Sequence, residues 1–205
     1  MKTSFRTSLG VLALAGLLTA CSDEAPKQAQ TAPASSTAAE STAAADNKLE
    51  TRFATIATGG ASGPYNIIAT TLGEVFNKTY GVNSKTQTTG ASVENVNLMA
   101  QNKVELAFLM SDVLSDALSG EGSFQTPITN VQQIAALYPN YVQIVTSKKS
   151  GIKTLEDLRG KRVAVGAQNS GVEVNARNLL TGHDISYDDI RVDYLGYAEA
   201  ADALK

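Results

Sequence analysis

Three turns rich in glycine and serine constrain this chain more than any other feature, because each leads from an apolar run into a helix-like run. They are Ile56-Ala57-Thr58-Gly59-Gly60-Ala61-Ser62-Gly63-Pro64-Tyr65, Thr88-Thr89-Gly90-Ala91-Ser92-Val93-Glu94-Asn95 and Val163-Ala164-Val165-Gly166-Ala167-Gln168-Asn169-Ser170-Gly171-Val172. Repeated strand–turn–helix units of this kind pack as an α/β fold with a mostly parallel sheet. The turns also carry chemistry. The first N–H groups of a helix lack an internal partner, and the positive end of the helix dipole lies beside them. Such a terminus receives an anion, glycine lets the ligand approach, and Ser or Thr adds a neutral hydroxyl.

The first twenty residues stand apart from this pattern. Lys2 and Arg6 precede an apolar run from Val11 to Leu18, and Leu18-Thr19-Ala20-Cys21 closes it with small residues. This is the layout of a secretory signal peptide, and the apolar run is shorter than the roughly 20 residues a membrane span needs. The cleavage region resembles a bacterial lipobox, which makes Cys21, the sole cysteine, the expected site of lipidation. Each buried methylene of an acyl chain contributes about 0.8 kcal/mol, so several chains on Cys21 anchor a domain to a membrane. Residues 22–49 are almost wholly Ala, Ser, Thr, Gln, Glu and Pro, with too little apolar bulk to offset chain entropy. Residues 21–49 therefore read as the lipidated cysteine and a disordered tether, reaching on the order of 30 Å as a flexible coil. Loss of Lys2 and Arg6 takes the formal charge from −3 to −5. A mildly acidic chain without a basic face is a poor partner for nucleic acid.

From residue 50 onward strand and helix alternate. Strands are expected at Phe53–Thr58, Asn83–Thr88, Leu106–Leu109, Ile134–Tyr138, Val142–Thr146, Arg162–Val165 and Arg191–Tyr194. Helices are expected at Pro64–Thr79, Ser92–Ala100, Ser111–Leu118, Val172–Leu180 and from Ala198 to Lys205. Pro64 suits the first helical position, Gly81 stops that helix, and Ser92 is placed to cap the next. Ile67, Ile68, Leu72, Val75 and Phe76 fall on one face of the first helix. Helix-forming residues continue to Lys205 without a cap, and only two strands follow Lys148, too few for an independent sheet. The expectation is a first lobe over 50–143 and an incomplete second lobe over 144–205.

Three segments carry a family resemblance over roughly Thr51 to Lys205. Thr58-Gly59-Gly60-Ala61-Ser62-Gly63-Pro64-Tyr65, Thr89-Gly90-Ala91-Ser92-Val93-Glu94-Asn95 and Leu155-Glu156-Asp157-Leu158-Arg159-Gly160-Lys161-Arg162-Val163-Ala164-Val165-Gly166 resemble the TAXI family of solute receptors, which serve tripartite ATP-independent periplasmic (TRAP) transporters. The third segment is the least specific, since many periplasmic binding proteins share it. The resemblance implies a type II periplasmic-binding-protein fold, with two lobes of mixed, mostly parallel sheets about a hinge. It further implies capture of a small carboxylate of the glutamate or 2-oxoglutarate class, periplasmic or cell-surface location, and delivery to a sodium-coupled permease. Family members normally continue well beyond this length.

With that resemblance, the expected ligand contacts are Gly59, Gly60, Ser62, Gly63 and Tyr65 in the first turn, and Thr89, Gly90, Ala91, Ser92 and Asn95 in the second. Ser111 follows the third strand where open α/β sheets place ligands. Tyr138 sits beside the expected hinge crossover. Gln168, Asn169, Ser170 and Gly171 come from the second lobe, with amide side chains that bind oxyanions without burying a charge. Arg177 is expected to face solvent or Glu173 one helical turn earlier. His183, the only histidine, is expected in an exposed turn.

Enzyme readings are not supported. No nucleophile elbow, P-loop, dinucleotide fingerprint or cysteine–histidine metal cluster occurs, and no cofactor is expected. Two rival functions use the same fold. One is a ligand-binding surface sensor or antigen. The other is the binding protein of an ATP-driven importer, with an aromatic ligand that the absence of tryptophan and the 6% aromatic content disfavour.

Overall fold

The computed structural model describes residues 49–205, which fall within a single unit by their contacts. The signal peptide over 1–20, the lipidated Cys21 and all but the last residue of the tether lie outside the described residues. The described elements are β1 (Phe53–Ala57), α1 (Pro64–Tyr80), β2 (Asn83–Gln87), α2 (Ser92–Ala100), β3 (Leu106–Ala107), α3 (Ser111–Ser119), β4 (Arg162–Ala164), α4 (Gly171–Thr181), β5 (Arg191–Asp193) and α5 (Tyr197–Leu204). Strand and helix alternate as the sequence predicts. Every described ladder is parallel: β1 lies between β2 and β3, and β4 pairs β5. The fold class is α/β with parallel sheets.

Local chemistry explains the first unit. Ile56 and Ala57 are fully buried in β1, and burying a side chain such as Ile56 is worth about 1.5–3 kcal/mol. Pro64 opens α1, where its missing N–H costs nothing, and Gly81 closes it in the left-handed conformation at φ 68°. A Cβ on Gly73 would lie 3.1 Å from the Ser84 Cβ, so glycine there lets α1 pack closely on β2. Ala69, Ile68, Phe76 and Leu106 complete the cluster around Ile56 and Phe108.

The second sheet has its own cluster of Leu158, Val165, Leu180, Ile185 and Ile190. A third cluster joins the two halves. Val174 of α4 is buried among Val93 and Val96 of α2, Val113 and Ala117 of α3, and Phe124. Helix α4 thus packs onto the first sheet's helices while following the second sheet's strand.

Several expectations need correction. The strands expected at Ile134–Tyr138 and Val142–Thr146 are not formed; residues 131–147 carry no regular structure. Strand character in that stretch is a preference for packing against neighbours, and among the described residues no strand lies alongside. On α1, Ile67 and Val75 are exposed at 67% and 48%, whereas Ala69 is fully buried, so the contact face is rotated from the one expected. Strand β3 is two residues long rather than four. Ser92 is the first residue of α2 rather than its cap: the capping position falls to Ala91, which offers no side-chain acceptor.

Candidate functional site

A cavity of about 90 Å³ opens where the ends of β1, β2 and β4 meet the helices that follow them. Three helix N-termini reach it. Gly63, Pro64 and Tyr65 come from α1, Ser170, Gly171 and Val172 from α4, and Gly196 and Tyr197 from α5. The wall is completed by Gly59, Gly60, Gly90, Ala91, Ser92, Met110, Asn140, Gly166, Ala167 and Leu195. No lining residue bears a formal charge. The cavity therefore offers an oxyanion helix dipoles and N–H groups at low dielectric, a setting in which they act strongly.

Tyr65 is the main side chain of this wall. Its ring stacks on Phe108 at 5.3 Å between centroids, and its hydroxyl accepts a hydrogen bond from Asn140 Nδ2 at 3.2 Å. Burial pushes its phenol above the ordinary value against the lowering effect of that bond, and Tyr138, Tyr197 and Asp112 add to the rise. The hydroxyl thus stays protonated and can donate to a ligand oxygen. Tyr138 lies 6.5 Å from the Tyr65 ring, and burial raises its phenol as well. Ser170, 3% exposed, caps α4 by accepting the Glu173 N–H at 3.0 Å.

Of the residues expected from sequence, Gly59, Gly60, Gly63, Tyr65, Gly90, Ala91, Ser92, Ser170 and Gly171 line the cavity; Ser62, Thr89, Asn95, Ser111, Tyr138, Gln168 and Asn169 do not. Asn95 shows why. It is fully buried, its amide donates to the Thr58 and Phe108 carbonyls at 2.7 and 2.6 Å, and its oxygen accepts from Thr89 Oγ1 at 2.6 Å. Asn95 and Thr89 tie the ends of β1 and β3 to α2, a structural task that leaves them no free donor toward the cavity. Ser62, Ser111, Gln168 and Asn169 are exposed.

The second turn departs further from expectation, because its amides already have partners. Gly90 N donates to Glu94 Oε2 at 2.7 Å, Ala91 N to Thr89 Oγ1 at 3.0 Å, and Val93 N and Glu94 N to the Asn169 carbonyl at 3.1 and 3.4 Å. Ser92 Oγ accepts from Met110 N at 3.0 Å. At α1 and α4 the first turns are only partly engaged: Asn66 N donates to the Gly63 carbonyl at 3.2 Å and Glu173 N to Ser170 Oγ at 3.0 Å. Sequence reading passed over Gly196 and Tyr197, although Leu195-Gly196 repeats the strand–glycine–helix signal of the other turns.

Away from the cavity, Arg177 meets Glu173 as expected, donating from Nε to Oε1 at 3.1 Å. Tyr187 donates to the same oxygen at 2.9 Å, and its phenol is pushed well up by burial and by that carboxylate. His183 is exposed. Among the described residues no group of three His, Cys, Asp or Glu is placed to hold a metal, and no helix is long and apolar enough to cross a membrane.

Two solved structures with similar chain paths are sulfonate-binding proteins. The alkanesulfonate-binding protein SsuA from Xanthomonas axonopodis pv. citri, bound to MOPS, matches with a TM-score of 0.47 and 18% identity over 76% of this chain and 51% of its own. The periplasmic aliphatic sulphonate binding protein SsuA from Escherichia coli matches with a TM-score of 0.43 and 17% identity over 75% of this chain and 50% of its own. The chain spans about half the length of these proteins. A family model covers nearly everything from the middle of β1 onward. Because the NMT1-like model matches residues 56–205, the chain belongs to the NMT1-like family.

Proposed function

We propose that the chain is the ligand-capturing part of an extracytoplasmic solute receptor that binds a small carboxylate of the glutamate or 2-oxoglutarate class. The observation that carries this reading is the convergence of the α1, α4 and α5 N-termini on one uncharged cavity. A carboxylate seated there is balanced by peptide dipoles and by the Tyr65 hydroxyl, without a buried cation. Capture rather than turnover is the natural use of such a site. The oxygens of Ser92 and Ser170 each accept a backbone N–H, and neither has a hydrogen-bonded base to activate it. In keeping with the TAXI-like turns, the bound form is handed to a sodium-coupled TRAP permease. Lipid on Cys21 holds the receptor to the membrane, with the two lobes hinged about residues 138–141.

Isothermal titration of glutamate, 2-oxoglutarate, ethanesulfonate and lysine into the protein tests this reading. Binding of the two carboxylates, weakened about tenfold by Tyr65→Phe through loss of one donor, is the expected result. Preference for ethanesulfonate would keep the anion site and reject the carboxylate class. Preference for lysine would reject the anion site itself.

A further inference from the structure

Helix α2 begins without a cap of its own. Its capping position is Ala91, whose methyl accepts nothing, and whose φ of 84° and ψ of −137° lie in a region that non-glycine residues rarely occupy. The orphan amides of Val93 and Glu94 are nevertheless satisfied, both by the Asn169 carbonyl from the turn before α4. Asn169 is itself left-handed at φ 61°, which aims that carbonyl across the gap. The approach is close on both sides, and at Gly90 it is to backbone. A Cβ on Gly90 would lie 2.5 Å from the Gln168 carbonyl oxygen, and a Cβ on Gly171 would lie 2.7 Å from Met110 Sδ and 2.8 Å from Ser92 Oγ. A side-chain bond from Asn175 Nδ2 to Asp112 Oδ2 at 2.7 Å and the burial of Val174 among α2 and α3 side chains lie alongside.

We propose that the 167–170 turn is a built-in clasp: its Asn169 carbonyl caps α2 across the cleft and holds the two sheets together. A carbonyl oxygen is a neutral stand-in for the anion that a helix N-terminus attracts, so the start of α2 is satisfied from within the chain. Gly90 and Gly171 are positioning residues, since they admit the turn but donate nothing to it. The clasp is independent of what the cavity binds.

Residue-resolved amide exchange on the ligand-free full chain reads the clasp directly. Val93 and Glu94 are expected to exchange roughly tenfold or more slowly than amides exposed at a helix start. Gly90→Ala and Asn169→Val are each expected to abolish that protection, the first by steric exclusion and the second because a β-branched residue resists φ near 61°. Asn169→Gly, which keeps both the carbonyl and the left-handed turn, is expected to retain it. The β1 ladder serves as the folding control. Fast exchange of Val93 and Glu94 in the unaltered chain overturns the proposal, as does protection that survives both disruptive variants with β1 intact. Should Gly90→Ala unfold β1, the comparison of the two Asn169 variants decides. Loss of the β1 ladder in Asn169→Val as well would show that the contact is inseparable from folding, and the clasp would fall.

Discussion

Asn95 spends both amide hydrogens on the carbonyls of Thr58 and Phe108, from which water is excluded. Replacing it by alanine leaves two buried acceptors unpaired, at a cost of about 1–3 kcal/mol each before relaxation. Asn95→Ala is expected to lower stability by about 2–4 kcal/mol, read as a lower urea midpoint. Ala91 is the opposite case. Its φ of 84° suits glycine, so Ala91→Gly is expected to raise stability by about 1 kcal/mol, the relief of strain exceeding the added chain entropy. A melting temperature no higher than that of the unaltered protein would contradict it. Ile67, exposed at 67%, makes a third comparison: Ile67→Lys should change stability by less than about 0.5 kcal/mol, whereas Ile56→Ala in the core should cost about 2–5 kcal/mol. In the sequence Asn95 reads as a ligand contact, and in the fold its amide is engaged by the Thr58 and Phe108 carbonyls. Its side chain is chemically fit for either a ligand or a strut, and only the carbonyls brought beside it decide between them.

At the scale of elements, Asp157 and Asp189 each hold a short turn of the second sheet's surround. Asp157 accepts the Lys153 and Thr154 N–H groups at 2.9 and 3.0 Å, and Asp189 accepts the Ser186 N–H at 2.8 Å. These bonds hold both carboxyls below the ordinary aspartate value of 3.8, the Lys153 amide leading for Asp157 and the Ser186 amide for Asp189. A depressed folded pKa means that the ionised form favours the native state. The contribution is therefore complete above pH 3.8 and is lost as the pH falls through the lower native values. Amides of residues 153–158 and 186–189 are expected to lose protection in that acid window before the β1 ladder does, and Asp157→Asn should remove the pH dependence of the first segment. Most element boundaries were legible because caps and periodicity are local. Pro64 and Gly81 fix α1 from both ends. The strands expected at 134–138 and 142–146 were not legible, since a strand is completed only by a neighbour and residues 131–147 have none beside them among the described residues. Their amides should exchange within seconds under conditions where β1 remains protected.

Over the whole molecule, the site is made by convergence rather than by any one motif. The βα turns end β1 and β4, and β5 adds a third approach through Leu195-Gly196-Tyr197. Parallel sheets put the C-terminal ends of their strands, and so the N-termini of the following helices, on one side, and this directs α1, α4 and α5 toward one cavity. The alternation of strand and helix, the glycine turns and the apolar runs are written in neighbouring residues, so the sequence by itself determined the α/β class and the positions of the turns. Which turn stays open was decided only in three dimensions. The amides of α2 look as available in the sequence as those of α4, yet the carbonyl that meets them, that of Asn169, comes from the turn before α4 and is not a local property. The Asn169 carbonyl reaches Val93 and Glu94 only because Val174, Gly171 and Gly90 let the halves pack closely. Hydrogen-bond satisfaction depends on what folding brings within about 3 Å, and no local pattern records that distance.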